Sequence, residues 1–157
     1  MADAAPVSGP EGYWIVCDLD GPGSIHGPDG ERYLRFQPCG SRMTFLDDTD
    51  RTPLIATSER WGSLARWVLV GTDKPTCVIR CRNVWRGKYS LEFTSGPLWT
   101  LRIPLFTVIY RATSDHGSRF RVRVRHHTQW YVEAPNTPDD LAILAGLALI
   151  QRHRQWA

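Results

Sequence analysis

The sequence predicts a mainly β fold: a closed antiparallel barrel of about 12 strands around a buried apolar C-terminal helix. Three features indicate it: short β-rich runs between turn residues, alternation of apolar and polar residues within runs, and one late segment apolar on every side. At 157 residues, with 42% hydrophobic and 22% charged residues, the chain suits one globular domain. We expect residues 1–12 to form a flexible tail and residues 13–157 a single barrel domain.

The predicted strands are rich in β-branched and aromatic residues, and clusters of glycine, proline and aspartate separate them. Gly21-Pro22-Gly23 is one such predicted turn. Alternation is clearest in Leu98–Ile103 and Arg119–Arg125, where one face is apolar and the other polar, as expected of strands that border a core. The predicted strands are Tyr13–Leu19, Arg32–Gln37, Arg42–Leu46, Leu54–Ser58, Arg66–Val70, Thr76–Arg82, Ser90–Thr94, Trp99–Ile103, Phe106–Arg111, Arg119–His126 and Trp130–Ala134.

The last segment favours a barrel with a helix inside it. Thr137-Pro138-Asp139-Asp140 is a helix start, and we expect the helix to cover about residues 138–156. The stretch Leu141–Ile150 contains only apolar or small residues. A helix without a polar face must be buried all round, and this one is too short to cross a bilayer. The inside of a barrel buries a helix on every side, and Gly146 with its neighbouring alanines keeps this helix thin.

Motifs in the last sixty residues and in an earlier segment of the chain resemble a known family. Leu98–Arg102, Tyr131–Pro135 and Asp139–Leu144 are similar to the closing pattern of LURP-one-related chains, in which an aspartate introduces an apolar helix. Met43–Asp48 and Pro53–Ala56 resemble their opening. The chain thus resembles the LURP-one-related and tubby C-terminal-like superfamily, which includes phospholipid scramblases. The resemblance implies a tubby-like barrel and, as a class, phosphoinositide binding or action at membranes. The lipid-binding lysine of tubby and the calcium segment of scramblases match no position here.

The candidate binding site is a basic strand. Arg119, Arg121, Arg123 and Arg125 alternate with apolar residues and therefore share one face, and arginine forks suit phosphate oxygens. We expect these arginines to bind phosphoinositide or another phosphorylated ligand, with Lys88 joining them if the fold brings it near. The alternative is a solvated face whose arginines pair with cross-strand acids and cover aromatic rings, on a protein-interaction or structural domain without a lipid ligand.

Motifs of other functional classes are weak. The sequence contains neither HExxH nor GxSxG, so we expect no enzyme, no catalytic residues and no cofactor. In the acidic turn Asp47–Asp50, Pro53 stands where a calcium loop needs glycine, so we expect no metal there. Gly21–Gly27 lacks the helix that a phosphate-cradling loop requires. The four cysteines are expected to be reduced core residues, with Cys77 and Cys81 on one strand face but about 13 Å apart, too far to share a metal.

Two further classes of binding protein are less favoured. Gly12-Tyr13-Trp14 matches the GxW motif of lipocalins, but a carrier needs an open interior rather than a central helix. Nucleic-acid binding is disfavoured because Phe120 faces away from the arginines, so the strand offers no combined stacking platform. Met1–Pro10 shows no secretory leader, and the net charge is +3. We expect a cytoplasmic protein without a transmembrane segment, peripheral at a membrane, whose partner is an anionic lipid or a protein.

Overall fold

The structure is a computed structural model that describes residues 12–17, 22–27, 32–47, 49, 51–60, 62, 64–71, 77–94, 96, 98–103, 109–115, 119–126, 128–133 and 140–156. These residues form β1 Gly12–Cys17, β2 Gly23–His26, β3 Arg32–Cys39, β4 Arg42–Leu46, β5 Leu54–Arg60, β6 Arg66–Gly71, β7 Cys77–Asn83, β8 Lys88–Phe93, β9 Leu98–Arg102, β10 Ile109–Ser114, β11 Arg119–His126, β12 Gln129–Glu133 and α1 Asp140–Trp156. Each strand pairs antiparallel with its neighbours in sequence, and β1 pairs with β12 to close the barrel. The predicted fold class is confirmed.

The helix α1 is packed into the barrel. All residues from Ala142 to Ile150 are buried. Small residues make this possible: a Cβ atom at Gly146 would lie 2.7 Å from Cδ2 of Leu91 and 3.4 Å from Cγ1 of Ile79. The first two residues of the predicted helix, 138 and 139, lie outside the described residues. Within the described part of the chain, no helix is long and apolar enough to cross a membrane.

The alternation predicted for the strands is present in the core. Trp99 and Leu101 on β9, and Phe120 and Val122 on β11, are buried and face inward. The intervening residues of β9 and β11 are exposed or half-buried on the outer wall. One face of each strand therefore fills the space around α1, and the other is available to a ligand.

The cysteines agree with expectation except in one case. Cys17, Cys77 and Cys81 are buried and reduced. Cys39 is also reduced but exposed, so its predicted core position is wrong. It is the last residue of β3, next to the turn at Gly40, where the strand has left the core.

One strand was missed by the sequence pattern. Gly23, predicted as part of a turn, begins β2, which pairs with both β1 and β3. The glycine serves close packing, because a Cβ atom there would collide with the ring of Phe36. Pairing on both sides therefore overrides the turn propensity of this glycine-rich segment.

Strand β10 extends further along the chain than predicted. It covers Ile109–Ser114, whereas the predicted strand Phe106–Arg111 ends three residues earlier, and residues 104–108 lie outside the described residues. Ala112 and Ser114 are its buried positions. Small residues carry little β propensity, but pairing with β9 and β11 holds them in the sheet.

One end of the barrel, here called the upper end, gathers the last turns of α1 and the connections after β3, β5 and β7. His153 donates from Nε2 to the carbonyl of Gly62 at 2.8 Å, and Arg154 donates to the carbonyl of Val84 at 3.1 Å. Gly87 ends the turn after β7 with a φ of 62°. β8 consequently begins at Lys88 rather than at the predicted Ser90.

Candidate anion-binding surface

A cross-strand row of cations follows the outer wall. Lys88 on β8 lies opposite Arg102 on β9, Arg102 opposite Arg111 on β10, and Arg111 opposite Arg121 on β11. We call these four residues the basic row. Because adjacent strands are about 4.8 Å apart, the row extends over about 14 Å. The sequence pattern pointed to Lys88 and Arg121 but missed Arg102 and Arg111, since strand register decides which outward residues become neighbours.

The row ends at an acid. Glu133 on β12 accepts two hydrogen bonds from Arg121, from Nε and Nη2, each at 3.0 Å. Nη2 of Arg123 lies 3.8 Å from the same carboxylate. Glu133 is 17% exposed, whereas the two arginine side chains are 44% and 51% exposed. One carboxylate therefore orients two guanidinium groups and neutralises only one charge.

Arg125, near the end of β11, packs over aromatic side chains. Its guanidinium carbon lies 5.7 Å from the ring centroid of Trp14, within cation–π range. Trp14 in turn packs against Tyr131, with ring centroids 5.1 Å apart. Trp14 of the GxW motif therefore lies on the outer wall beneath an arginine.

The remaining cations of this wall have no acidic partner among the residues that the structure describes. Lys88, Arg102, Arg111 and Arg119 are exposed, and no carboxylate among the described residues lies within ion-pair distance of them. Like charges directly opposite in a sheet repel one another. The centre of unneutralised positive charge therefore lies on β8 to β10, beside the predicted basic strand.

The sequence contains a signal for this surface, because acidic and basic residues are distributed unevenly along the chain. Residues 1–59 contain 10 acidic and 4 basic residues, whereas the rest of the chain contains 6 acidic and 15 basic residues. The basic part supplies β6 to β12 and the helix. A modest net charge thus conceals a strong asymmetry of charge along the sequence.

The turn after β7 adds an exposed aromatic residue to this surface. Trp85 is 85% exposed, next to the exposed Arg86 and close in sequence to Lys88 of the basic row. A collision with the carbonyl of Ile103 prevents any Cβ at Gly87, so this turn lies tightly against the end of β9. A rigid hairpin therefore presents the indole beside cations.

The core contains buried polar groups whose pKa values are shifted by burial. Tyr89 donates to Nδ1 of His153 at 2.6 Å, and burial raises the pKa of Tyr89. Burial also raises the pKa of the Cys81 thiol, which keeps it protonated and a poor nucleophile.

The acidic turn is held by its own hydrogen bonds. Oδ1 of Asp47 accepts from N and Oγ1 of Thr49 at 2.9 and 2.7 Å and from N of Arg51 at 2.9 Å. The Thr49 hydroxyl is the main cause that lowers the pKa of Asp47. Throughout the described segments, no cluster of three or more histidine, cysteine or acidic side chains is arranged to hold a metal. Asp48 and Asp50 lie outside those segments.

Comparison with known proteins gives one structural likeness. No family model and no curated protein matches the sequence. The fold is similar to the X-ray structure of a protein from Arabidopsis thaliana, with a TM-score of 0.62 and 14% identity over 94% of this chain and 91% of that chain. At that identity the likeness shows the shared fold, a closed barrel with a C-terminal helix.

Proposed function

We propose that this chain is a non-enzymatic module that binds anionic membrane surfaces peripherally and recognises phosphorylated headgroups such as those of phosphoinositides. The observation that carries the proposal is the basic row, in which Lys88, Arg102, Arg111 and Arg121 are neighbours on adjacent strands. Clustered cations next to an anionic leaflet contribute about 1 kcal/mol each. The proposed membership of the LURP-one-related and tubby-like superfamily agrees with this function.

Trp85 supports a membrane rather than a free anion as the partner. Tryptophan favours the interface of a bilayer, where its ring contacts acyl chains and its N–H contacts water or headgroups. The indole is 85% exposed, so its ring is accessible to such an interface. A stacking platform for nucleic-acid bases on β11 is not supported, because Phe120 and Trp130 are buried in the core.

The test is co-sedimentation with phosphatidylcholine vesicles, with and without a phosphorylated inositol lipid, across a salt series. We expect binding that depends on the headgroup and weakens with salt. The double variant Arg102→Gln/Arg111→Gln should lose most of it. The control is Arg51→Glu, in an exposed turn at the opposite end of the barrel from Lys88. It changes the net charge by the same amount as the double variant and should bind as the wild type does. Trp85→Ala should weaken binding at every salt concentration.

The alternative is a protein-interaction or structural role without a lipid ligand. Its expected result is no sedimentation with any vesicle at any salt concentration. Equal losses in Arg51→Glu and in the row variant would also contradict the proposal, because only overall charge would then matter.

A further inference from the structure

A second group of arginines surrounds a cavity near the upper end, on strands that precede the basic row. The cavity has a volume of about 520 Å³. Its polar lining consists of four arginines, one glutamate and one thiol: Arg60, Arg66, Arg80, Arg82, Glu59 and Cys81. Lining from three successive strands, β5 to β7, gives the cavity a rigid wall.

Register places the arginines of this cavity against one another. Arg60 lies opposite Arg66, and Arg66 lies opposite Arg80. Glu59 forms an ion pair with Arg66. Among the described residues, one carboxylate thus accompanies four guanidinium groups, and like charges directly opposite in a sheet destabilise it. The arrangement needs further negative charge.

Two hydrogen-bond donors of these arginines also lack acceptors within the described part of the chain. The Nε atoms of Arg66 and Arg80 are buried, and neither has a hydrogen-bond partner among the described residues. Leaving a buried donor of a charged group unpaired is costly. Arg82, by contrast, is held in place because its Nε donates to Oγ of Ser90 at 3.1 Å. The described residues therefore leave one donor of each of these two guanidinium groups without an acceptor.

We propose that this cavity is a binding site for a phosphomonoester, with Arg66 and Arg80 as the contacts to its oxygens. A dianionic phosphate offers three acceptor oxygens and offsets more of the excess charge than a carboxylate or a phosphodiester would. The volume exceeds that of one phosphate group, which leaves space for the small polar body that carries it. The site shares no residue with the basic row, so it stands independently of membrane binding.

The phosphomonoester has two sources, a free metabolite or a lipid headgroup, and a matched pair of probes separates them. Glycerol 3-phosphate is the free form, and phosphatidic acid in vesicles has the same group on a lipid. Thermal unfolding of the full chain is followed with inorganic phosphate, with glycerol 3-phosphate and with sodium chloride of matched ionic strength. Vesicle sedimentation compares phosphatidic acid with phosphatidylglycerol, a phosphodiester lipid.

We expect a higher Tm in glycerol 3-phosphate than in matched chloride, because a ligand that binds only the folded chain stabilises it. Arg80→Gln should weaken this binding by about tenfold or more, since charged hydrogen bonds are lost. Its Tm without ligand should be unchanged or higher, because repulsion is relieved. If Arg80 had only a structural role, Arg80→Gln would show the opposite pattern: its Tm without ligand would be lower, and its response to the ligand would be intact. Arg80→Lys, which keeps the charge, covers the case in which Arg80→Gln fails to fold.

Control variants separate this site from the proposed membrane surface. Arg102→Gln/Arg111→Gln should keep the response to glycerol 3-phosphate, and so should Arg51→Gln. A response only to phosphatidic acid vesicles, lost in Arg80→Gln, would assign the site to a lipid headgroup. The proposal is overturned if no phosphomonoester exceeds chloride or phosphatidylglycerol, or if Arg80→Gln responds as the wild type does.

Discussion

The phenol of Tyr89 donates a hydrogen bond to Nδ1 of His153 at 2.6 Å, and this bond joins strand β8 to helix α1 inside the barrel. The other ring nitrogen donates to the carbonyl of Gly62 at 2.8 Å, so the two partners together select the neutral Nε2–H tautomer. Trp67 packs edge-on against the imidazole, with centroids 5.4 Å apart. One side chain therefore anchors the end of the helix to two parts of the barrel wall.

Tyr89→Phe should destabilise the fold by about 1–3 kcal/mol, because it leaves Nδ1 of His153 buried without a donor. The ring itself is retained, so the loss reports the hydrogen bond rather than packing. Urea unfolding measures it. An unchanged free energy of unfolding would mean that another donor replaces the phenol.

Stability should fall in mild acid because of His153. Burial lowers the pKa of this imidazole below its ordinary value of 6.5, and it outweighs the Gly62 carbonyl, which acts in the opposite direction. The unfolded chain therefore binds the proton more readily, so the contribution is complete above about pH 6.5 and is lost as the pH falls below it. Urea unfolding at about pH 7.5 and pH 5 should show this decrease, and His153→Gln should reduce it. An equal decrease in that variant would assign the effect to other groups.

Gly146→Ala should give no gain in stability, although alanine normally stabilises a helix by about 1 kcal/mol relative to glycine. The new Cβ atom would lie 2.7 Å from Cδ2 of Leu91, so packing strain offsets the gain in helix propensity. Gly146→Trp should prevent folding by overpacking the barrel. Circular dichroism with thermal unfolding measures both. A near-wild-type Tm for Gly146→Trp would contradict the central position of the helix.

Gly87 and Gly40 form a matched pair. Both have a left-handed backbone, with φ of 62° and 61°. A Cβ atom at Gly87 would collide with the carbonyl of Ile103, whereas nothing lies within 4 Å of one at Gly40. Gly40→Ala should cost about 1–2 kcal/mol from its backbone alone, and Gly87→Ala should cost clearly more. Equal losses of stability in the two variants would show that the turn after β7 can move away from Ile103 at little cost in free energy.

Glu133→Gln should strengthen binding to anionic vesicles and steepen its salt dependence, because Arg121 and Arg123 lose their shared acid. The accompanying loss of stability should stay below about 1 kcal/mol, since both arginines are about half exposed. Glu92→Gln, on the lower part of β8, changes the net charge equally and should have a smaller effect. Weaker binding in Glu133→Gln would mean that the acid holds the arginines in their binding geometry.

Much of this fold follows from local pattern. Alternation within Leu98–Ile103 and Arg119–Arg125 determined which side chains face the core, because successive residues of a strand point to opposite faces. The uninterrupted apolar stretch Leu141–Ile150 determined a helix buried on all sides, since such a helix has no face for water. These are local properties, and a single chain segment is sufficient to specify them.

Tertiary structure decided everything that depends on register between strands. The sequence shows Arg102 and Arg111 as outward residues of separate segments, and only pairing places them beside each other. The same holds for Arg66 and Arg80, which strand pairing places opposite each other. A shift in register changes which residues are opposite one another at little cost in local propensity. The sequence by itself therefore determined which residues face outward on each strand. The closed barrel decided which of these outward charged residues become neighbours.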